Sequence, residues 1–428
     1  MTSPNSAIGI IDSGPTTVDL TIADSAAGRG PRWLDDFVAG RLADLVAFRR
    51  DVHSHPELSH AETRTTEQLE HWLDATGIEH HRLPGGTGLI AEIGSEGAAG
   101  PVVGLRADID ALPLREASGL PFASTVPGAA HACGHDVHTT VLLGAALALQ
   151  TAFRTGQAPA GRVRLLFQQA EEVRPGGAAE LIAAGAIDGV DTLFALHCDP
   201  KTPVGSIGLK VGAITSTSDL IELRVAGPGG HTARPQLTAD VVNALGTVIT
   251  GLPLLLTRRL DSRAAAVLVW GAVQAGEAAN AIPQEGMLRG TLRLMRRDAW
   301  DGADALIREL VAALLAPTKV TYELTVHRGV PPVENDAHAT DLLRLGITAA
   351  LGEDAVVEAE QSTGAEDFAE MLEHAPGALA RLGVWDGESE QCDLHSAGFA
   401  ADERAIPAGI RVLVHTVLAA LTNSAPTH

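Results

Sequence analysis

The segment HACGHDVH at residues 131–138 combines three histidines, a cysteine and an aspartate. Imidazole, thiolate and carboxylate groups are the ligands that zinc-like ions bind in proteins, so one interpretation is a metal site. Cys133 and His135 could alternatively form a thiol–imidazole pair for nucleophilic catalysis. A third interpretation is a polar turn that opens a helix. The segment by itself leaves all three interpretations open.

Acidic and imidazole side chains also lie at the ends of several predicted strands. In open α/β sheets, ligands bind beyond the carboxyl ends of the strands, so these residues would meet at one edge. Taken singly, a histidine at a strand end is usually a hydrogen-bonded surface residue, and an acidic pair is usually a helix cap. Their occurrence at successive strand ends favours a metal site. The residues are Asp108 and Asp110 at the end of the strand at 101–109, Glu171 and Glu172 after the strand at 163–170, and His197 after residues 192–196.

Nucleophilic catalysis explains the sequence less well than a metal site. Cys133 and His135 lie two positions apart on a turn, where their side chains point poorly for proton transfer. A catalytic cysteine would also leave the acidic pair at 171–172 without a role. The G-x-S-x-G segment of a serine hydrolase does not occur, and GPGGH at 227–231 lacks the surrounding pattern of a nucleotide site.

Helices and strands are predicted to alternate around these residues. This alternation indicates an α/β domain with a mostly parallel sheet. Gly77 is a plausible C-cap for the second helix. The predicted helices cover about 33–52, 61–76, 136–152 and 178–184, and the predicted strands cover 88–94, 101–109, 163–170 and 192–198.

The pattern changes after residue 213 to strand, helix, strand, strand, helix, strand, the β-α-β-β-α-β order of a small ferredoxin-like domain. Beyond about residue 328 the α/β character returns. The prediction is therefore a catalytic domain of residues 31–213 and 329–428, with an inserted domain of residues 214–328. The inserted elements are at 220–227, 238–256, 264–273, 287–295, 298–316 and 320–327, and the later helices are near 337–351, 366–374 and 403–421.

Composition narrows the class of protein. The 428-residue chain is 45% apolar with a formal net charge of −22, which repels phosphate backbones and disfavours a nucleic-acid partner. Three cysteines in a long chain predict no disulfide framework and a cytoplasmic location. Residues 1–30 lack the pattern of a signal peptide and are predicted to be a loosely ordered tail. The apolar runs fall short of the roughly 20 residues that span a bilayer, which predicts no membrane partner.

A series of motifs, taken together and in this order, resembles the M20 metallopeptidase superfamily over about residues 31–420. The resemblance is narrower to its amidohydrolase branch, which includes N-acyl-amino-acid, hippurate and auxin-conjugate hydrolases. RDVHSHPELSHAET at 50–63 is similar to the first helix of that branch. The other motifs are RADIDALP (106–113), HACGHDVHTT (131–140), QQAEE (168–172), His197, GPGGHTARP (227–235), NAIP (280–283), GTLR (290–293), GAEDF (364–368) and His395.

The resemblance implies a role for each matching residue. It implies two divalent metal ions per subunit, with zinc as the first expectation and manganese, cobalt or nickel as alternatives. It implies Glu171 as general base, and His231 as a histidine that the inserted domain, often that of the partner subunit, sends into the site. Asn280 and Arg293 match substrate-binding positions, and Asp110 matches an aspartate that orients a metal-binding histidine. The implied metal ligands are Cys133, His135, Glu172, His197 and His395.

The implied reaction is hydrolysis of the amide bond of an N-acyl amino acid, or a related small amide, by a metal-activated water. The inserted domain would serve as a lid and as the contact of a homodimer. A metallocarboxypeptidase or dipeptidase using the same site is the alternative enzyme. A metal-bearing binding protein without turnover is the alternative outside enzymes, and the Glu171–Glu172 pair disfavours it because an inactive site needs no base.

Overall fold

A computed structural model describes residues 29–94 and 100–423. The predicted tail of residues 1–30 lies outside the described residues except for its last two positions. The chain forms two compact units. Of the described residues, the first unit contains those up to Gly212, Asn335–Glu360 and those from Glu370 onward, and the second contains Ala213–Glu334 and Gln361–Ala369.

The described helices and strands are numbered here in chain order. The helices are α1 Arg32–Ser54, α2 Thr63–Thr76, α3 His135–Arg154, α4 Gly177–Ala183, α5 Val241–Arg259, α6 Arg297–Asp301, α7 Ala303–Leu315, α8 Ala337–Leu351, α9 Phe368–Met371 and α10 Ala405–Asn423. The strands are β1 Glu79–Arg82, β2 Leu89–Gly94, β3 Val102–Asp108, β4 Arg162–Gln168, β5 Thr192–Pro203, β6 Ile207–Leu209, β7 Gly212–Ala213, β8 Ser218–Ala226, β9 Gly230–His231, β10 Val267–Ala275, β11 Ala281–Ile282, β12 Glu285–Arg293, β13 Thr321–Val330, β14 Glu334–Asn335, β15 Val356–Glu358 and β16 Gly377–Trp385.

The first unit is built on a sheet with the strand order β1-β2-β4-β3-β5-β16-β6-β15. Strands β4, β3, β5 and β16 run parallel to one another at its centre. Strand β3 is buried along its whole length, as expected for a central parallel strand covered on both faces. Helices α1 and α10 pack against the buried helix α3. The predicted α/β class with a mostly parallel sheet is confirmed.

Strand β16 lies between β5 and β6, yet its sequence GALARLGVW does not predict a strand. Two of its glycines explain the unusual composition. A Cβ atom on Gly377 would lie 2.2 Å from the carbonyl oxygen of Leu193, and one on Gly383 would lie 2.1 Å from that of Pro203. Only glycine allows the two strands to approach this closely.

Two further predictions differ from the structure. Strand β5 continues past residue 198 to Pro203 because β16 pairs along it, whereas β3 pairs with it only as far as Ala195. His197 therefore lies within a strand, just beyond the point where β3 stops covering it. The helix predicted near 366–374 is limited to α9, Phe368–Met371.

The second unit contains an antiparallel sheet with the strand order β10-β12-β8-β13. Helices α5 and α7 pack their apolar faces against this sheet. The predicted β-α-β-β-α-β order of elements is confirmed. The unit extends beyond the predicted range 214–328. Residues 361–369 join it because the Gln361 side-chain amide donates to the carbonyl oxygens of Thr215 (2.9 Å) and Met295 (2.8 Å).

Helices α5 and α10 are long and apolar enough to cross a membrane, which the sequence prediction of short apolar runs did not anticipate. In α10, 78% of the apolar window is buried inside the protein, so packing in the core of the first unit accounts for its composition. In α5 the buried share is 33%, and its buried residues pack in the core of the second unit.

Candidate functional site

The HACGHDVH segment forms a tight turn that leads into helix α3. Gly134 has a φ of 86°, in the left-handed region that favours glycine. A Cβ atom at this position would also lie 2.7 Å from the Cys198 Sγ atom on strand β5. The backbone N–H of His395 donates to the carbonyl oxygen of Ala132 over 2.8 Å. The turn is thus fixed against two other segments of the first unit.

The structure brings together the five residues predicted as metal ligands. Cys133, His135 and His197 offer three donor atoms that lie within 4.8 Å of one another. Cys133, Glu172 and His395 offer a second set that meets the same limit. The two sets share the Cys133 thiol, so the five donor residues form one cluster.

Hydrogen bonds fix which nitrogen of two histidines is available. The Nδ1 atom of His135 lies 2.9 Å from the carbonyl oxygen of Asp110, and that of His197 lies 2.8 Å from the carbonyl oxygen of Cys198. A carbonyl oxygen only accepts, so each Nδ1 atom holds the proton and each Nε2 atom keeps its lone pair. The Nε2 atom of His197 lies 3.6 Å from the Cys133 Sγ atom. Both rings therefore present a ligand atom.

His138 is not available as a ligand. Its Nε2 atom accepts the backbone N–H of Cys198 over 2.7 Å. Its Nδ1 atom donates to the Asp108 carboxylate over 2.6 Å. Both ring nitrogens are thus engaged. His131 is buried as well, and burial lowers its pKa to about 4, so this ring stays neutral and adds no positive charge beside a cation.

The donor atoms fit a bound cation. Among the described residues, several side-chain atoms are buried without a hydrogen-bond partner; two of them, His135 Nε2 and Glu172 Oε1, lie 3.7 Å apart, and the second lies 3.2 Å from His395 Nε2. Buried polar atoms normally have partners, so this pair needs an explanation. Burial raises the pKa of Cys133 well above that of an ordinary thiol, and a thiolate here therefore requires a positive charge beside it. A thiol, imidazoles and a carboxylate form a donor set suited to zinc-like ions.

Asp110 connects the histidine turn with the acidic pair. Its Oδ1 atom lies 3.1 Å from His135 Nδ1, and its Oδ2 atom accepts the backbone N–H of Glu172 over 3.0 Å. Burial raises the pKa of Asp110, but these hydrogen bonds outweigh it and lower the pKa below its ordinary value. A carboxylate in contact with the far nitrogen of a ligand histidine fixes the orientation of the ring.

A buried polar network next to the proposed metal ligands was not predicted from the sequence. Arg106 donates to Gln168 over 2.8 Å and to Asp108 over 2.7 Å. Asp108 in turn accepts from His138, which accepts from the backbone of Cys198. Burial raises the pKa of Asp108, but the neighbouring histidines and Arg106 together lower it well below its ordinary value. An arginine and an aspartate two positions apart on a strand that is otherwise apolar could have indicated this network.

Replacement of Asp108 by alanine is expected to lower the free energy of unfolding of the first unit by about 3–5 kcal/mol, because Arg106 would be left buried without its carboxylate. Urea unfolding of the metal-free protein measures the effect. Asp36→Ala is the matched control, since Asp36 pairs with Arg32 at 3.7 Å on the surface of the same unit. Equal unfolding midpoints for the two variants would contradict the prediction.

Glu171 lies in the first unit beside His135 and Glu172, whereas His231, Asn280 and Arg293 lie in the second unit. His231 on β9 pairs with Ala281 on β11, and the backbone N–H of Thr232 donates to the carbonyl oxygen of Asn280 over 3.2 Å. The GPGGH and NAIP motifs are therefore neighbours. The Nδ1 atom of His231 accepts the backbone N–H of Ala233 over 3.0 Å, so the proton of this exposed ring resides on Nε2. Arg293 ends β12 and donates to the carbonyl oxygen of Thr363 over 2.9 Å.

The chain is similar to a known protein family, to characterised relatives and to solved structures. The model of the family described as Peptidase family M20/M25/M40 matches residues 104–419. A Bacillus subtilis protein named N-acetylcysteine deacetylase is 39% identical over 369 residues, 85% of this chain and 93% of the relative. A solved Bacillus subtilis structure, described as a dinuclear metal-binding peptidase of the M20 family, is 34% identical with a TM-score of 0.78, covering 89% of this chain and 98% of that one.

A Rhodococcus jostii protein named provisionally as a glutamate–cysteine ligase is 52% identical over 370 residues. The match covers 86% of this chain but 46% of the relative, so the chain spans about half the length of that protein.

Proposed function

The chain belongs to peptidase family M20/M25/M40, and we propose that it is a metal-dependent amidohydrolase. The proposed reaction removes the acyl group from N-acyl amino acids. The main support is the pair of three-donor sets that share Cys133, with Glu171 within 4.8 Å of donor atoms of His135 and Glu172. A relative named for the deacetylation of N-acetylcysteine supports this class of substrate.

The proposed metal site holds two divalent ions, with zinc as the first expectation and manganese, cobalt or nickel as alternatives. When bound, the ions polarise the scissile carbonyl and lower the pKa of a water molecule. Asp110 acts on this site through His135, whose ring it orients. The proposed ligands are Cys133, His135, Glu172, His197 and His395.

Glu171 is the proposed general base. It is 7% exposed and directly precedes the proposed ligand Glu172, so its carboxylate is held beside the metal site and largely shielded from solvent. In this position it takes the proton of the attacking water and then delivers it to the leaving amine. The amide bond breaks to give a carboxylate and an amine, and no other co-reactant is needed.

The second unit would supply the contacts to substrate. The Nε2–H group of His231 is a donor suited to the oxyanion that forms at the carbonyl, and in a dimer this group would be that of His231 of the partner subunit. Asn280 lies beside His231 and is proposed to contact the substrate. Arg293 offers a planar fork that matches the free α-carboxylate of an amino acid.

The second unit is also the proposed lid and the contact of a homodimer. Strand β10 is at the edge of its sheet and exposes Val267, Val269 and Val273. An edge strand with exposed apolar side chains suits pairing with another chain.

Three unpaired cysteines support a cytoplasmic location. Both the dimer and the compartment stay predictions.

The proposed function is tested by measuring hydrolysis of N-acetyl, N-benzoyl and long-chain N-acyl amino acids, N-acetylcysteine and dipeptides. Hydrolysis of N-acyl amino acids and not of their α-carboxamides is expected, because the amide lacks the charge that Arg293 would bind. Turnover confined to dipeptides would favour a carboxypeptidase or dipeptidase. A metal-loaded protein without turnover on any of these would favour a binding protein.

Arg293→Ala is expected to lower kcat/KM for N-acyl amino acids by about 10–100-fold, the value of a hydrogen bond to a charged group. Arg289→Ala is the matched control on the same strand, since Arg289 pairs with Glu222 at 2.8 Å on the exposed face. The control should retain the wild-type kcat/KM. An Arg293→Ala enzyme as active as this control would contradict the role of Arg293.

A further inference from the structure

The loop between α1 and α2 contains a buried carboxyl group that the proposed mechanism does not use. Glu62 is 0% exposed. Its Oε1 atom accepts two backbone N–H groups, that of His60 over 3.0 Å and that of Ala170 over 2.8 Å. The second bond joins residues 108 positions apart in the chain, and Ala170 directly precedes the acidic pair Glu171–Glu172.

Ala170 has a backbone conformation that needs such support. Its φ is 52°, in the left-handed region that residues with a Cβ atom rarely adopt. On the following side, the Ala170 carbonyl oxygen accepts the backbone N–H of Gly177 over 3.0 Å. The Glu62 carboxyl group holds the N–H of the same residue. Because Ala170 is the last residue before the acidic pair, its conformation sets the direction in which Glu171 and Glu172 leave strand β4.

Glu62 is itself held firmly. It directly precedes helix α2, and its carbonyl oxygen accepts both the backbone N–H (3.0 Å) and the hydroxyl group (2.6 Å) of Thr66. Burial raises the pKa of Glu62, and this outweighs the backbone hydrogen bonds from Ala170 and His60, which lower it. A neutral carboxyl oxygen is sufficient to accept both N–H groups.

The loop between α1 and α2 also contacts the segment of Asp110, which orients the proposed ligand His135. The Ser59 hydroxyl donates to the Asp110 Oδ2 atom over 2.7 Å. Nearby, Leu58 forms a bridge with Ala111, and the Ala111 N–H donates to the carbonyl oxygen of Glu57 over 2.8 Å. One loop therefore contacts both the segment of Asp110 and the segment of Glu171–Glu172.

We infer that Glu62 is a positioning residue, which holds Ala170 in its left-handed conformation and so directs Glu171 and Glu172 toward the metal site. Ser59 supports the same site through Asp110. The inference rests on the proposed function for the roles of Glu171 and Glu172. Its structural part, that Glu62 determines how well the ligand Glu172 is placed, can be tested by metal binding alone.

The experiment titrates Co²⁺ into metal-free wild-type protein and three variants, and follows the visible absorption of the bound ion. Glu62→Met removes the acceptor with little change in volume, and Glu62→Gln keeps an oxygen that can accept the same two bonds. Glu57→Ala is the matched control, because the Glu57 carboxylate accepts the backbone N–H groups of Arg64 (2.8 Å) and Thr65 (2.7 Å) in helix α2 and not those of the site. Thermal unfolding and kcat are measured on the same proteins.

We expect Glu62→Met to bind Co²⁺ about 10–100-fold more weakly, as is usual when the support of a ligand is removed, and to lower kcat with little change in KM. Glu62→Gln should restore both values. Glu57→Ala should lower the unfolding temperature and keep the wild-type affinity for Co²⁺. Wild-type affinity in Glu62→Met, failure of Glu62→Gln to restore it, or an equal loss in Glu57→Ala would each overturn the inference.

If Glu62→Met does not fold, Ser59→Ala takes its place, since it removes one hydroxyl group from the same loop. Weaker Co²⁺ binding in Ser59→Ala would then support the role of the loop, and unchanged binding would overturn it. The Co²⁺ titration uses no substrate. A wild-type protein that hydrolyses no N-acyl amino acid would therefore refute the proposed function and leave this test intact.

Discussion

Replacement of Glu171 by glutamine is expected to lower kcat by about 10²–10⁴-fold, the usual contribution of general acid–base catalysis. The side-chain amide cannot accept the proton of the attacking water, while its size preserves the surrounding packing. This loss corresponds to about 3–5 kcal/mol of transition-state stabilisation. Steady-state hydrolysis of an N-acyl amino acid measures it, and elemental analysis of the same samples gives their metal content.

The neighbouring residue provides the control for this experiment. Glu172→Gln should lose metal as well as activity, because the Glu172 carboxylate lies within 4.8 Å of Cys133 and His395 donor atoms. Glu171→Gln should instead retain the metal content of the wild type. If Glu171→Gln hydrolyses substrate at the wild-type rate, Glu171 is not the base. If it loses metal to the same extent as Glu172→Gln, Glu171 is a ligand.

Elements with a clear period of apolar residues could be predicted from the sequence, and those shaped by close contacts could not. Helix α3 and strands β3 and β4 were expected within a few residues of their observed ends. Strand β16 was not, because Gly377 and Gly383 are required by the nearby backbone of β5, and such a requirement leaves no periodic pattern in the sequence. Pairing with β16 also explains why β5 exceeds its predicted length.

The residues of the candidate site likewise divide into those that the sequence could indicate and those that only contacts in the fold reveal. Cys133 and His135 lie in one short segment of unusual composition, which made them candidates, and the resemblance to the M20 superfamily implied their role as ligands. Ser59 and Glu62 are ordinary polar residues in a loop, and their relation to the site depends on contacts such as the one between Glu62 and Ala170, 108 positions apart. The Arg106–Asp108 pair is visible in the sequence of strand β3, but the network that it forms includes His138 from another element.

Removal of metal by a chelator is expected to abolish hydrolysis and to destabilise the first unit. An ion present at 100 times its dissociation constant stabilises the folded state by about 2.7 kcal/mol, because the unfolded chain does not assemble the donor atoms. Thermal unfolding with and without chelator measures this difference. Hydrolysis should return when Zn²⁺, Mn²⁺ or Co²⁺ is added back.

Two variants of acidic residues in the first unit separate the metal site from general effects of the chelator. Glu172→Gln should unfold at nearly the same temperature with and without chelator, because it lacks a proposed ligand. Glu92→Gln should respond like the wild type, since Glu92 pairs with Arg162 at 2.9 Å and contributes no donor atom to the site. A wild-type protein that keeps both its activity and its unfolding temperature in chelator would contradict the metal site. Restoration by Mg²⁺ alone would contradict the ligand set, because a thiolate and imidazoles favour softer ions than magnesium.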